Sequence, residues 1–291
     1  MEKLDETSIA QIIKNKLSEI ETRENIRILY ACESGSRAWG ISSVDSDYDV
    51  RFVFVRPMED YLRVKNLPDY IDGELNEVYD INGWDLKKFF YQLLKSNPVI
   101  FEWANSPVVY KISSEWKALK AIMNSYVLLD KMLHHYCGLS RRSSLLEICR
   151  NQNDKITQNA SSKDVRYSFC NSDNEVSLKK YLYVMRSVLA CAWIIKNKTV
   201  PPTEFIKLVD NLLPKDLRCL VEQLLVVKAK SLESDKIKRI IQLDIFIESK
   251  LNEAIIYSFN EKKENICEIV DNLLYNIVKI NWGILWQNIT I

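Results

Sequence analysis

The sequence is poor in the side chains that nucleophilic triads and zinc sites require. Its two histidines, His134 and His135, are adjacent and therefore point to different faces of a helix. Its seven cysteines are odd in number and include no C-x-x-C pair, which fits reduced thiols better than a disulfide framework or a zinc site. These shortages argue against a Ser-His-Asp or Cys-His mechanism.

Long apolar runs are also missing. No stretch approaches the roughly 20 apolar residues that span a bilayer, and the charged N-terminus lacks the hydrophobic segment of a signal peptide. We find no internal repeat and no low-complexity tract. We therefore expect a soluble, cytoplasmic protein with no membrane partner.

Charge is balanced over the whole chain but not along it. The formal net charge is +1, yet residues 1–110 hold 13 basic and 19 acidic side chains, and the remainder holds 27 and 20. An acidic first part suits metal binding, and a basic second part suits a phosphate-rich substrate. An unevenly charged solvated surface explains the same numbers equally well.

The apolar spacing divides the chain into an α+β front domain, residues 1–110, and a helical domain, residues 111–291. In the front domain we predict a helix over 8–20, strands over 26–32, 47–55 and 75–81, and a helix over 84–95, with Asn82 and Gly83 ending the third strand. In the second domain we predict helices over 115–136, 140–157, 177–197, 203–212, 215–229, 233–258 and 263–281, and a polar loop over 151–176.

A Gly-Ser turn lies directly after the first predicted strand. Gly35 and Ser36 can offer free backbone N–H groups and a hydroxyl, which are the donors that a triphosphate needs. Most Gly-Ser turns are only turns, so this one indicates phosphate binding only in combination with acidic residues placed nearby.

Two acids, Asp47 and Asp49, begin the second predicted strand. The two-residue period of a strand places both carboxylates on one face. Such a pair is repulsive unless a cation bridges it, and carboxylate oxygens are ligands that Mg²⁺ prefers. The residues of opposite parity, such as Val50 and Phe52, are expected in the core.

A third carboxylate on a neighbouring strand would complete a two-metal site. Asp80 is the preferred candidate because it lies in an otherwise apolar stretch, where an unpartnered acid is costly. Glu77 and Asp85 are the alternatives. Asp85 also has a structural explanation, since an acid at the start of a helix interacts favourably with the helix dipole.

Several longer segments resemble one bacterial family. They are ESGSRAWG and SDYDVRFVFV, then GWDLKKFFYQLLKSNPVIFEW, then LKKYLYVMRSVLACAWIIKN with PPTEF. The family is the RNA-repair-pathway DNA-polymerase-β family (RlaP-like), predicted nucleotidyltransferases of the polymerase-β superfamily. The resemblance runs from about residue 30 to about residue 210.

The resemblance implies a polymerase-β-type nucleotidyltransferase fold, a small mixed sheet flanked by helices, followed by an all-α domain. It also implies that Gly35 and Ser36 bind the triphosphate of an NTP. Asp47, Asp49 and Asp80 would be the catalytic carboxylates that hold Mg²⁺ or Mn²⁺.

Five further side chains are candidates for nucleotide contacts. Arg37 comes directly after the turn, and Arg51 has the strand parity of the two acids, so that it can contact phosphate or form a structural ion pair. Lys179, Tyr183 and Arg186 share one helical face, where they can grip a triphosphate and stack a base, unless that face is simply solvated.

We therefore predict a metal-dependent enzyme that transfers NMP from an NTP to a hydroxyl acceptor, an RNA or tRNA end, and releases pyrophosphate. NMP transfer to a protein side chain or a small molecule is the second hypothesis. A non-catalytic nucleotide-binding interaction protein is the third.

Overall fold

The computed structural model describes residues 6–142, 146–149, 166–169, 175–232, 234–260 and 266–282. The described helices are α1 (Glu6–Glu24), α2 (Gly35–Trp39), α3 (Met58–Tyr61), α4 (Leu86–Leu94), α5 (Pro98–Ala104), α6 (Ser114–Met123), α7 (Leu129–Arg141), α8 (Leu178–Asn197), α9 (Phe205–Leu212), α10 (Lys215–Lys230), α11 (Ile241–Ile256) and α12 (Cys267–Trp282). The described strands are β1 (Arg27–Glu33), β2 (Tyr48–Val55), β3 (Tyr70–Leu75), β4 (Tyr79–Asp85), β5 (Val109–Ile112), β6 (Leu146–Cys149), β7 (Arg166–Phe169), β8 (Glu175–Ser177) and β9 (Lys236–Lys238).

A five-stranded mixed sheet with the order β3-β4-β2-β1-β5 forms the front of the molecule. The β2–β4 pair is parallel, and the other three pairs are antiparallel. This sheet, flanked by helices and followed by a mainly helical region, confirms the α+β class predicted from the sequence.

The alternation predicted for β2 divides its side chains between two cores. Val50, Phe52 and Phe54 are fully buried against the α1 side, and burial of a phenylalanine side chain contributes about 1.5–3 kcal/mol. Val53 and Val55 face the opposite core with α4 and α5. The face of Asp49 and Arg51 is therefore fixed by the packing of both cores.

The third predicted strand is wrong in its bounds. Residues 76–78 form a turn in which the Asn76 side chain accepts hydrogen bonds from the N–H groups of Val78 and Tyr79, both at 2.8 Å. The turn separates β3 from β4, and β4 continues through Asn82 and Gly83. Gly83 lies inside β4 and pairs with Phe52, and it is suited to this position because a Cβ would be 2.0 Å from the Phe52 ring.

The second half is built around α8, which is buried along most of its length and packs against α7, α9 and α11. The helix predicted over 140–157 is wrong, because α7 ends at Arg141 and β6 covers Leu146–Cys149. Two short sheets, β6–β7 and β8–β9, were not predicted. Most of the predicted loop over 151–176 lies outside the described residues.

One hydrophobic core runs from β1 through α5 and α6 to α12. Strand β5 crosses residue 110 and pairs with β1. The domain boundary at residue 110 stays a prediction.

Candidate active site

Strand β1 ends in a bend that lies against the side chain of Asp49. Gly35 has a φ of +59°, and a Cβ at this position would be 2.0 Å from Asp49 Oδ2. The Ser34 N–H donates to the Asp49 carbonyl at 2.8 Å, which ties the bend to β2. Only glycine suits this conformation and this space. Buried Ser36 is the next residue in α2, so the predicted triphosphate turn adjoins a predicted metal ligand.

Asp49 and Asp80 are aligned across the parallel β2–β4 pair. Nη2 of Arg51 lies 2.9 Å from Asp49 Oδ1 and 2.6 Å from Asp80 Oδ2, so the two carboxylates share one nitrogen. Arg51 Nη1 also donates to the Asp80 carbonyl at 2.7 Å. Arg51 forms the structural ion pair that the sequence left open, and its contact with a phosphate stays a prediction.

The electrostatics of Asp49 show how closely the acids are gathered. Burial raises the pKa of Asp49, and repulsion from Asp47 and Asp80 raises it further. The positive charges of Arg51 and Lys179 act in the opposite direction. Asp47, Asp80 and Lys179 are thus all within electrostatic reach of Asp49.

The donor chemistry of these acids suits a divalent cation. Carboxylate oxygens are ligands of choice for Mg²⁺, and the raised pKa of Asp49 marks a place where added positive charge is favourable. Within the described ranges, no group of three or more His, Cys, Asp or Glu side chains is arranged to hold a metal ion. The acids are instead organised around Arg51.

Glu33, the last residue of β1, holds the start of β2 by a hydrogen bond. It is 1% exposed, and it accepts a hydrogen bond from the Asp49 N–H at 2.9 Å and another from the Tyr110 hydroxyl. Burial raises the pKa of Glu33 to about 7, although both hydrogen bonds act to lower it. Glu33 therefore fixes the backbone of Asp49.

Arg37 shapes the loop that carries Asp47. Its Nε donates to the Asp47 carbonyl at 2.9 Å, and its Nη2 donates to the Ser46 carbonyl at 2.7 Å. Its guanidinium lies 3.9 Å from the centre of the Tyr48 ring. These contacts order the loop, and the predicted phosphate contact of Arg37 stays a prediction.

The two alternatives to Asp80 lie elsewhere. Asp85 caps α4 by accepting from the Lys87 N–H at 2.7 Å, at the opposite end of β2. Glu77 lies in the exposed turn between β3 and β4. Of these three acids, Asp80 is the one that shares Arg51 with Asp49.

Lys179 and Tyr183 lie on the part of α8 that faces the bend. Lys179 Nζ is 5.8 Å from the centre of the Tyr183 ring, and that ring packs edge-on against Trp39 of α2 with centroids 5.0 Å apart. Arg186 is only 3% exposed and lies 4.2 Å above the Trp39 ring. Its predicted contact with a nucleotide stays a prediction.

Glu102 is a site residue that the sequence reasoning missed. One oxygen accepts from the Tyr136 hydroxyl at 2.7 Å and from Arg186 Nη1 at 3.0 Å, and the other accepts from Trp39 Nε1 at 3.1 Å. Glu102 of α5 thereby joins α2, α7 and α8. The signal was its position in the otherwise apolar stretch PVIFEWA, the argument that selected Asp80.

The mixed sheet, the glycine bend and the aligned carboxylates define a protein of the DNA-polymerase-β type. The sequence matches the family described as "RNA repair pathway DNA polymerase beta family", RlaP, over residues 9–276. The chain belongs to this family, as the resemblance predicted. It is also 34% identical over 277 residues to a Bacillus subtilis (strain 168) protein named "Uncharacterized protein YcgL", an alignment that covers 94% of this chain and 97% of that protein.

None of the helices in the described ranges combines the length and the hydrophobicity that crossing a bilayer requires.

Proposed function

We propose that this protein transfers a nucleoside monophosphate from an NTP to a hydroxyl of an RNA end, a tRNA end being the natural candidate, and releases pyrophosphate. The observation that carries the proposal is the contact between the Gly35 bend and Asp49, together with the Arg51 bridge from Asp49 to Asp80. Nucleotidyl transfer requires N–H donors for phosphate beside grouped carboxylates.

Asp47, Asp49 and Asp80 would hold Mg²⁺ or Mn²⁺, which supplies positive charge to the triphosphate and to the leaving pyrophosphate. The Gly35–Ser36 bend cradles the phosphates through its N–H groups and hydroxyl. Asp80 orients the acceptor hydroxyl and draws off its proton. The hydroxyl oxygen bonds to the α-phosphorus while the bond from that phosphorus to the bridging oxygen breaks, and its electron pair leaves with pyrophosphate.

Side chains around the acids complete the nucleotide site. Lys179 reaches the triphosphate, and Tyr183 stacks on the base. Arg51, which lies between Asp49 and Asp80, reaches a phosphate bound beside them. Arg37, beside the loop that carries Asp47, and Arg186 of α8 add positive charge for contacts with the nucleotide.

Two observations support RNA as the acceptor. The family description refers to RNA repair. Residues 111–291, the proposed helical domain, carry 27 basic and 20 acidic side chains, a balance that favours a polyanion.

The direct test incubates the purified protein with total RNA, Mg²⁺ and each α-labelled NTP in turn. We expect labelled RNA from wild type, and the double variant Asp47→Asn/Asp49→Asn should lose at least about a hundredfold in rate. Asp216→Asn, which removes an exposed acid of α10, is the matched control and should keep the activity. Equal labelling by wild type and the double variant would refute the proposal.

One observation favours a second acceptor, a cationic small molecule such as an aminoglycoside. The surface beside Asp80 is acidic, with Asp72 on β3 and Glu77 in the turn between β3 and β4. Glu74 is aligned with Ile81 and pairs with Lys16 of α1, so it lies on the opposite face of the sheet. The same assay with aminoglycosides in place of RNA distinguishes the two acceptors, since label would move to the small molecule.

A further inference from the structure

A cleft of about 480 Å³ lies at the opposite end of β2 from the proposed catalytic acids. Arg56 is seven positions after Asp49, which at about 3.3 Å per residue places the cleft roughly 23 Å away. Its walls come from α3, the 62–69 segment, α4 and α12. They are largely apolar, with Leu67, Pro68, Phe90, Leu94, Val270 and Leu274.

Arg56, a lining residue of this cleft, is buried without strong partners. It is 8% exposed, yet its closest carboxylate oxygen, on Asp85, is 4.0 Å from Nε. Nη2 makes a long bond of 3.4 Å to the Pro68 carbonyl, and Nε has no hydrogen-bond partner in the described part of the chain. A buried guanidinium has five N–H donors, and leaving them unsatisfied costs free energy.

The acids that line the cleft have closer hydrogen-bond and ion-pair partners than Arg56 has. Asp85 accepts hydrogen bonds from the Tyr61 hydroxyl at 3.0 Å and from the Lys87 N–H at 2.7 Å. Two further pairs are Asp69–Lys88, at 2.9 Å, and Asp60–Arg63, at 2.7 Å. The remaining lining acid, Asp271, is exposed on α12, where water screens its charge. Arg56 is therefore the buried charged group of the cleft with the weakest partners, and the partner that it needs is an anion.

We propose that this cleft is a binding site for an organic anion, with a phosphate or carboxylate group on Arg56 and an apolar body between α4 and α12. A planar oxyanion matches the fork of donors on a guanidinium. Exposed Lys87 at the rim adds a second positive charge. The apolar walls supply affinity that an inorganic ion would not gain.

The test is calorimetric titration of the full chain in EDTA, with phenyl phosphate, benzoate, inorganic phosphate and phenol as probes. We expect phenyl phosphate or benzoate to bind with a Kd near or below about 1 mM, at least about tenfold more tightly than inorganic phosphate or phenol. Whichever of the two binds more tightly identifies phosphate or carboxylate as the preferred group.

Substitutions test whether the probe binds in the cleft at Arg56. Arg56→Gln should weaken it at least about tenfold and Lys87→Gln about threefold, while Lys117→Gln, an exposed control on α6, should change nothing. Lys87→Gln keeps the test valid if Arg56→Gln fails to fold. The variant Asp47→Asn/Asp49→Asn should bind as wild type does.

Three results would overturn the proposal: no probe binding, equal binding of phenol and phenyl phosphate, or altered binding in the Asp47→Asn/Asp49→Asn variant. The last result would place the probe in the catalytic site. The outcome is independent of nucleotidyl transfer, because no step of the assay requires it.

Discussion

Each end of β2 holds an arginine beside aspartates, but the two arginines differ in how closely the acids contact them. At the first end, Asp49 and Asp80 contact Arg51 at 2.9 and 2.6 Å, and Asp47 is within electrostatic reach of Asp49. At the last end, buried Arg56 is 4.0 Å from the oxygen of Asp85, an acid that other donors already satisfy. The first end therefore gathers carboxylates that suit a cation, and the last end holds a buried guanidinium whose unused N–H donors suit an anion.

A substitution at Gly35 would disrupt the close packing of the bend against Asp49 at the first end of β2. In Gly35→Ala, the new Cβ would lie 2.0 Å from Asp49 Oδ2, on a backbone with φ of +59°. Because the acid must move away, we expect nucleotidyl transfer to fall by about a thousandfold. Steady-state rates with labelled NTP measure this loss.

Gly40→Ala is the matched control for that variant. Gly40 has a φ of +75°, but a Cβ there would meet nothing within 4 Å. Both variants carry similar backbone strain, so the difference between them isolates the contact with Asp49. If both lose the same activity, that contact does not matter for the reaction.

The next largest effect separates the three candidate third carboxylates. Asp80→Asn keeps an oxygen for Arg51 but removes the charge, and we expect kcat to fall by about a hundredfold. Glu77→Gln and Asp85→Asn should stay within about twofold of wild type, since Glu77 is exposed and Asp85 lies at the far end. A larger loss in either of these than in Asp80→Asn would assign the role to that acid.

Glu102→Gln tests whether the link between α2 and α8 serves the catalytic end. The amide cannot neutralise Arg186, so Trp39 and Tyr183 should lose their fixed arrangement. We expect KM for the NTP to rise about tenfold with kcat within about threefold.

A merely structural role for Glu102 would reduce the active fraction and hence the apparent kcat, and would leave KM unchanged. The assay is run at a temperature where circular dichroism shows both proteins folded. Glu204→Gln, which removes an acid paired with Lys207 on α9, is the control and should leave both constants unchanged.

The parts of the site that depend on local pattern could be predicted from the sequence. The alternation in β2 is local, and it correctly placed Val50 and Phe52 in the core and Asp49 and Arg51 on the other face. The choice of Asp80 rested on its apolar surroundings, and the structure aligns it with Asp49.

The rest depended on contacts that sequence pattern does not display. The Asn76 turn and the strand position of Gly83 depend on side-chain hydrogen bonds and on the Phe52 ring. The Arg56 cleft needs α12, which begins more than two hundred residues later in the chain. Chain-distant contacts of this kind are decided by tertiary packing.

Glu33→Gln should have the smallest effect on transfer, and it probes the free energy of unfolding instead. Burial raises the pKa of Glu33 from 4.5 to about 7. Between these two values the unfolded chain loses the proton first, so the contribution of Glu33 to stability is complete below about pH 4.5 and is lost as the pH rises to about 7. The loss amounts to about 3 kcal/mol.

Glutamine stays neutral; its oxygen can accept from the Asp49 N–H and its NH2 group can donate to the Tyr110 oxygen, so Glu33→Gln should remove this part of the pH dependence. Urea unfolding in EDTA from pH 4.5 to 8 measures it, with exposed Glu59→Gln as the control. Some decline remains in every variant because burial also raises the pKa of Asp85 at the far end of β2. Parallel curves of unfolding free energy against pH for wild type and Glu33→Gln would show that ionisation of Glu33 does not destabilise the fold. The difference between the two ends of β2 would then depend on Asp47, Asp49 and Asp80 alone.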